Sequence, residues 1–437
     1  MRISMNDSQL RAKWEGMNRQ YPWYADYHKG SGVPEWSELP LLTHERLLPY
    51  FEQDEGSNHS DWNVYRTSGT SSKKRKAIYY DAADEFHYVN QKTKLFAQLL
   101  QGIDAKRALS DMGTGHAEAT AVQIFEQLGL ECESVPFGLP AAAHLLRLTA
   151  FRPDVLYTMP SLLDGLIRVA PTGFDWGVKR VIVVGEPAPP AWRQRMAEQL
   201  DIGVEDIRDT YGSIEIGTIA HCEPVSGRYL LLEGLIAEGV SPDEVGLPEV
   251  KLPPDEQILV LTSLDRHRFP SLRYVTYDVV RDLRTDEIAG KPVTTFAAIV
   301  KRVGPELKHG EKISIYDIEN VVFKHMQQAE VRVVVQGGKL QVNIAAATPV
   351  DQVVREAVRT ELQGAIPEIG AMIRGGLLVK MDIHFTTIDA SALGSNESAD
   401  IKLVKHKKLY IHDELEAISG VDVEAGRAAD SKGEGAD

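Results

Sequence analysis

From about Val64 onward, short apolar runs alternate with longer segments whose apolar residues recur every three to four positions. The first kind reads as buried strands and the second as amphipathic helices. AIYYDAADEFHYVNQKTKLFAQLLQG passes from a strand into a long helix, EATAVQIFEQLGLE is helical, and CESVPFG is a strand followed by a turn. PDVLYTMP, SLLDGLIRVA, VKRVIVVGEP and AWRQRMAEQL then read strand, helix, strand, helix. Such alternation predicts a parallel or mixed sheet covered by helices, an α/β fold. Upstream, Tyr21, Pro22, Trp23, Tyr24, Pro34, Trp36 and Pro40 predict short helices and turns packed against that body.

Near Leu259 the pattern becomes β-rich, with ILVLTSL, FPSLRYVTYDVV and TTFAAIV in succession. After Lys301 a β-α-β-β-α-β succession is expected: KISIYD leads into a helix at DIENVVFKHM, and EVRVVVQGGKLQVNIAA is two strands around a Gly-Gly turn. VDQVVREAVRTELQG is an amphipathic helix and LLVKMDIHFT the closing strand. This predicts a separate α+β module of about a hundred residues. The expected division is a large domain over 1–300, a small domain over 301–412 and a tail over 413–437. That tail holds eight acidic residues against Arg427 and Lys432, is rich in Gly, Ala and Ser, and is expected to be disordered.

Charge narrows the function classes. Lys and Arg total 48 against 63 Asp and Glu, so the net charge of −15 argues against a nucleic-acid binder held by clustered phosphate contacts. No apolar run approaches the length of a membrane span, and MRISMNDSQLRAKWEG lacks the apolar core of a signal peptide. Cys132 and Cys222 are too few for a disulfide framework, which makes the cytoplasm the default compartment.

Three segments can carry chemistry. In Tyr65-Arg66-Thr67-Ser68-Gly69-Thr70-Ser71-Ser72-Lys73-Lys74-Arg75-Lys76, small hydroxyl residues around a glycine suit phosphate oxygens, and the basic run neutralises charge. The spacing is not that of a P-loop, and a surface loop is the alternative. In Asp209-Thr210-Tyr211-Gly212-Ser213-Ile214-Glu215, a ring, a turn glycine, a hydroxyl and a carboxylate could stack on a base, approach a phosphate and hold magnesium; an ordinary strand end is the alternative. In Arg273-Tyr274-Val275-Thr276-Tyr277-Asp278, the acid could accept hydrogen bonds from ribose hydroxyls, or be a solvated strand-end aspartate. His221-Cys222-Glu223 could contribute to a zinc site but lacks further cysteines nearby.

In this order the three segments resemble the signatures of the adenylate-forming (ANL) superfamily of acyl-CoA synthetases, peptide-synthetase adenylation domains and luciferases. YPWYADYHKGSGVPEWSELPLLTHERL, PDVLYTMPSLL, VVGEPAPP and LKHGEKISIYDIE extend the resemblance over most of the chain, towards the phenylacetate-CoA ligase-like branch. The resemblance implies a large N-terminal domain of mixed sheets and helices with a small α+β C-terminal lid. It implies attack of a carboxylate, most simply an aromatic acid, on the α-phosphorus of ATP with Mg²⁺, then transfer to CoA or a carrier-protein thiol. Alternatives are transfer to an amine or protein, or a catalytically impaired relative that binds nucleotide or acid. A homodimer is one open assembly state.

Carried over residue by residue, Ser68, Gly69, Thr70, Ser71 and Lys76 would surround the β- and γ-phosphates. Gly185, Glu186 and Pro187 would border the adenine with Tyr211, and Gly212 would also belong to the nucleotide site. Ser213 would contact the α-phosphate, Glu215 would hold magnesium and Asp278 the ribose. Arg302 matches the hinge-adjacent arginine and Lys402 the late catalytic lysine, although Lys402 to Lys408 could instead be a solvated basic segment. Gly113, Gly115, His116, Phe137 and Gly138 would line the acyl pocket, with a packed loop histidine as the alternative for His116.

The chain departs from the family pattern in its mobile parts. Ser72 replaces the second glycine of the phosphate loop, and Val303-Gly304-Pro305 replaces the hinge aspartate. The segment Leu307-Lys308-His309-Gly310 is one residue short, and Ile315 and Asp317 stand where proline and glutamate are usual. Acid and ATP binding are expected to survive these changes better than thioester formation, which uses rotation of the small domain.

Overall fold

The computed structural model describes residues 5, 7–27, 32–52, 61–66, 76–112, 116–136, 139–304, 314–326, 329–336, 339–346, 348–365, 380–387 and 409–412. Its centre is a nine-stranded sheet. From one edge run Glu131–Ser134, Arg107–Asp111, Val155–Thr158, Arg180–Val184 and Ile207–Ser213, all parallel. Gly217–Cys222, Tyr229–Leu231, Lys291–Phe296 and Arg284–Ile288 continue it antiparallel. Every residue of Val155–Thr158 is buried, as expected for a parallel strand covered on both faces.

The helices Ala82–Leu99, His116–Gln127, Ala141–Phe151, Pro160–Val169 and Pro190–Leu200 alternate with these strands. Local chemistry sets their ends. Asp81 accepts a hydrogen bond from the Asp84 N–H at the start of the first, and proline occupies the first turn of the last two, where no amide donor is needed.

A four-stranded antiparallel sheet, Leu235–Val240, Glu256–Ser263, Tyr274–Arg281 and Ala298–Arg302, packs nearby. The short pair Asn63–Arg66 and Ala77–Tyr80 flanks residues 67–75. The C-terminal sheet has the order Lys380–Thr387, Lys339–Ala346, Ala329–Gln336, Leu409–His412, with the helices Ile315–His325 and Gln352–Ala365. Ile315–His325 reaches the large body: Asp317 pairs with Arg281 at 2.9 Å and the Arg195 guanidinium lies 4.4 Å from the Phe323 ring centroid.

Several expectations change. TTFAAIV is two strands in different sheets, broken at Ala297, whose N–H bonds the Arg281 carbonyl at 2.8 Å. A continuous apolar run cannot by itself show that both of its halves are buried on different neighbours. The strand in FPSLRYVTYDVV begins only at Tyr274, because Arg273 adopts a positive φ of 53°. The DIENVVFKHM helix begins two residues earlier, at Ile315, since Ser314 rather than Asp317 caps it and accepts from the Asp317 N–H at 3.0 Å. Leu409–His412, within the basic segment's continuation, supplies an unexpected fourth strand parallel to Ala329–Gln336. Lys312, Ile313 and the tail 413–437 lie outside the described residues, while Ser314 caps a helix rather than ending a strand.

Candidate active site

The carboxyl ends of the parallel strands, where ligands bind in open α/β sheets, gather much of the expected set. Gly185 follows Arg180–Val184 with φ +85°, a turn that a side chain would strain. Glu186 holds that turn to the next helix: its carboxylate accepts from the Ser161 N–H at 2.8 Å and the Ser161 hydroxyl at 2.9 Å. Gly185 and Pro187 are exposed beside it.

The Tyr211 hydroxyl donates to Asp278 Oδ2 at 2.5 Å. Asp278 stands in register with Arg302 on the neighbouring strand, and its Oδ1 lies 3.5 Å from Arg302 Nε. Arg302 also donates to the Thr276 carbonyl at 3.1 Å. The Asp278 carboxylate raises the Arg302 pKa further, and burial followed by the Asp278 charge raises that of Tyr211. Tyr277, next to Asp278, has φ 62°, and its hydroxyl accepts from the His44 N–H at 3.0 Å. His44 Nδ1 in turn accepts from Lys76 Nζ at 3.0 Å, and that ammonium lies 5.0 Å from the Phe51 ring centroid. Lys76 is thus tied to the Asp278 strand through His44, a residue the motif reading passed over.

Ser213, Glu215 and Gly217 form a tight reversal between two antiparallel strands. Ser213 Oγ accepts from the Ile216 N–H at 3.2 Å. A Cβ on Gly212 would stand 2.7 Å from the Gly217 carbonyl oxygen, so the approach requires glycine. Glu215 is 8% exposed; its backbone carbonyl accepts from Arg266 Nε at 3.0 Å, while among the described residues nothing hydrogen-bonds its carboxylate. A carboxylate left without a hydrogen bond from the described residues fits a hard cation that prefers oxygen ligands. The other acidic cluster, Asp81, Asp84 and His267, does not fit one: Asp84 is occupied by Arg266 and by the His267 and Arg268 N–H groups, and Asp81 by Arg268.

His116, the first residue of its helix, is packed rather than open. It lies among Tyr65, Tyr80 and Tyr88, with ring centroids 4.4, 4.2 and 3.8 Å away, and Nε2 donates to Glu85 at 2.8 Å. Burial lowers its pKa against the upward pull of Glu85, so the neutral ring is favoured. Burial disfavours the Glu85 carboxylate, but hydrogen bonds from His116, Asn63 and Tyr65 outweigh it and hold its pKa below the ordinary value. The zinc alternative has no support in the geometry: Cys222 Sγ accepts from Arg193 at 3.1 Å, and burial pushes the thiol up to about 11. Ser68, Gly69, Thr70, Ser71, Gly113, Gly115, Phe137, Gly138 and Lys402 lie outside the described residues.

Sequence reasoning also passed over Lys92, in the middle of Ala82–Leu99. It is 2% exposed, its ammonium donates to the Tyr88 and Tyr157 hydroxyls, and burial lowers its pKa to about 7. A lysine within a helical apolar stripe was the available signal.

With this geometry in view, the chain can be set beside known proteins. Residues 308–389 match the family described as the fumarate–diaminopropanoate ligase C-terminal domain. Over 386 residues the chain is 33% identical to the fumarate–(S)-2,3-diaminopropanoate ligase of Enterobacter agglomerans, covering 88% of this chain and 96% of that one. A solved 2-hydroxyisobutyryl-CoA ligase in the postadenylation state with 2-HIB-AMP has a TM-score of 0.65 at 16% identity, over 95% of this chain and 92% of that one. The same ligase with 2-HIB-AMP and CoA in the thioesterification state gives 0.54 at 15% identity, over 93% and 90%. These two likenesses concern the fold.

Proposed function

This chain belongs to the ANL superfamily of adenylate-forming enzymes, in the family of the fumarate–diaminopropanoate ligase, and from that premise we propose that it joins a small dicarboxylic acid to an amino acid's amino group through an acyl-adenylate. It is an AMP-forming ligase. The observation that carries the finer reading is the 33% identity over nearly the whole length of a relative whose name pairs fumarate with diaminopropanoate. That pairing favours the amine acceptor over CoA or a carrier thiol. The aromatic acid and the phenylacetate-CoA ligase-like branch remain expectations of the motif resemblance alone.

In this reading Asp278, oriented by Tyr211 and Arg302, accepts the ribose hydroxyls, and the Gly185–Pro187 turn borders the adenine. Ser213 meets the α-phosphate and Lys76, with residues 68–71, meets the β- and γ-phosphates. Glu215 would hold a magnesium ion, which neutralises phosphate charge when bound. The acid's carboxylate oxygen attacks the α-phosphorus and pyrophosphate leaves; the amine nitrogen then attacks the acyl carbon, AMP leaves with the bonding pair, and the amine loses a proton. Positioning and charge neutralisation supply most of such catalysis. Lys402 is proposed as the lysine that stabilises the developing charge.

The test is ATP–pyrophosphate exchange with fumarate, succinate, benzoate and phenylacetate, followed by mass spectrometry of products formed with 2,3-diaminopropanoate or with CoA. Exchange with fumarate and an amide product are expected. Exchange confined to aromatic acids, with an acyl-CoA product, would overturn the reading.

A further inference from the structure

Lys92 poses a problem of charge. Its ammonium is surrounded by the rings of Tyr88, Phe96 and Tyr157, with centroids at 5.1, 5.5 and 4.9 Å. Its hydrogen bonds go to the Tyr88 hydroxyl at 2.9 Å and the Tyr157 hydroxyl at 2.7 Å, which use two of three N–H donors. Among the described residues no carboxylate pairs with it, and burial is the sole cause of its lowered pKa. Lysine is almost never fully buried unless paired.

A second polar group faces the same place. Ser110 is register partner of Tyr157 on the adjoining parallel strand, so the two side chains share a face of the sheet. Its Oγ is buried and has no hydrogen-bond partner among the described residues. The Tyr157 phenol accepts from Lys92 and keeps its own proton to donate, whereas the Tyr88 hydroxyl, which also accepts from Lys92, is engaged by Thr120 as well.

The position relates this cluster to the acyl site. The Tyr88 ring lies 3.8 Å from the His116 ring, centroid to centroid, and a Cβ on Gly217 would stand 3.1 Å from it. Gly217 pairs with Ser213, the residue assigned to the α-phosphate, and His116 directly follows the expected pocket residues 113–115. Tyr88 therefore borders both the reacting end and the buried ammonium.

We propose that Lys92, with Tyr88, Tyr157 and Ser110, binds the second carboxylate of a dicarboxylic acid whose first carboxylate is adenylated. The assignment rests on the dicarboxylate reading above and names the residues that would enforce it. The incoming anion supplies the missing counter-charge, the Tyr157 and Ser110 hydroxyls donate to its oxygens, and Tyr88 borders it. A monocarboxylic acid of the same length would leave the ammonium unpaired in an apolar surrounding, so the site selects by penalising the analogue that lacks the charge.

Fumarate and crotonate isolate this effect, since they share a trans four-carbon skeleton and differ by a carboxylate against a methyl group. In ATP–pyrophosphate exchange the full chain is expected to favour fumarate by about 100-fold or more in kcat/KM. Lys92→Met, which conserves most of the volume, should collapse the fumarate-to-crotonate ratio towards one, with the ATP KM held near the wild-type value. Removing an unpaired buried charge should not unfold the protein, and Lys92→Gln is the second variant, with the same expected collapse. A folded Lys92→Met or Lys92→Gln protein that keeps the wild-type ratio overturns the Lys92 assignment alone. Wild-type exchange with monocarboxylic acids and with no dicarboxylic acid overturns both this assignment and the proposed function.

Discussion

The Tyr211 hydroxyl reaches Asp278 across two sheets: Tyr211 belongs to the nine-stranded sheet, Asp278 to the four-stranded one, and 2.5 Å separates the bonded oxygens. The bond fixes the carboxylate between a phenol on one side and the Arg302 guanidinium on the other. Tyr211→Phe keeps the ring against Phe296 and removes only the donor. It should raise the ATP KM several-fold and lower stability by about 1–3 kcal/mol, as for a hydrogen bond to a charged group. Isothermal binding of ATP and a denaturant titration check the two effects separately; unchanged ATP affinity would remove Asp278 from the ribose assignment.

Glu215 offers a different balance. The residue is 8% exposed, and its carboxylate accepts no hydrogen bond among the described residues. Glu215→Gln should leave the thermal midpoint equal or higher while shifting the magnesium dependence of ATP–pyrophosphate exchange to higher concentration. A lowered midpoint with an unchanged magnesium titration would mark the residue as structural.

Asp209 stands on the same strand as Tyr211, Ile207–Ser213, and is 3% exposed, with a hydrogen bond from the Tyr229 hydroxyl. Burial raises its pKa from 3.8 to about 7. Between those values the folded state holds a proton that the unfolded state has released, so this group's contribution to stability is complete below about pH 4 and declines as pH rises to about 7. Asn at this position cannot ionise and still accepts from Tyr229. The difference in denaturant midpoint between Asp209→Asn and wild type should therefore grow in favour of the variant from pH 4 to pH 7 and level off above. A pH-independent difference would show that Asp209 does not titrate in this window.

Much of the fold was legible because its signals are local. The alternation of buried runs and amphipathic segments marks three of the five parallel strands, Glu131–Ser134, Val155–Thr158 and Arg180–Val184, and four of the helices beside them, whereas Arg107–Asp111 and the helix Ala141–Phe151 were not read from the pattern. The family motifs marked positions the fold does bring together: Tyr211, Ser213, Glu215, Asp278 and Arg302 occupy strands or adjoining turns, and Tyr211, Asp278 and Arg302 are in direct contact. His44 was not legible, because its link to Lys76 joins residues 32 positions apart without a motif. Nor was the break within TTFAAIV, where both halves are apolar and only the choice of neighbouring strand separates them.

The sequence by itself determined much of the order of elements and proposed the nucleotide-site residues, since period, turn chemistry and motif spacing are properties of short segments. Tertiary structure alone decided which charges lost water and which found partners. Lys92 is an ordinary lysine in the chain and a desolvated amine with its pKa lowered to about 7 in the fold; His116 is a pocket candidate in the chain and a packed ring held by Glu85 and three tyrosines in the fold. Burial and pairing depend on neighbours remote in sequence, and they decide the energy of a charge.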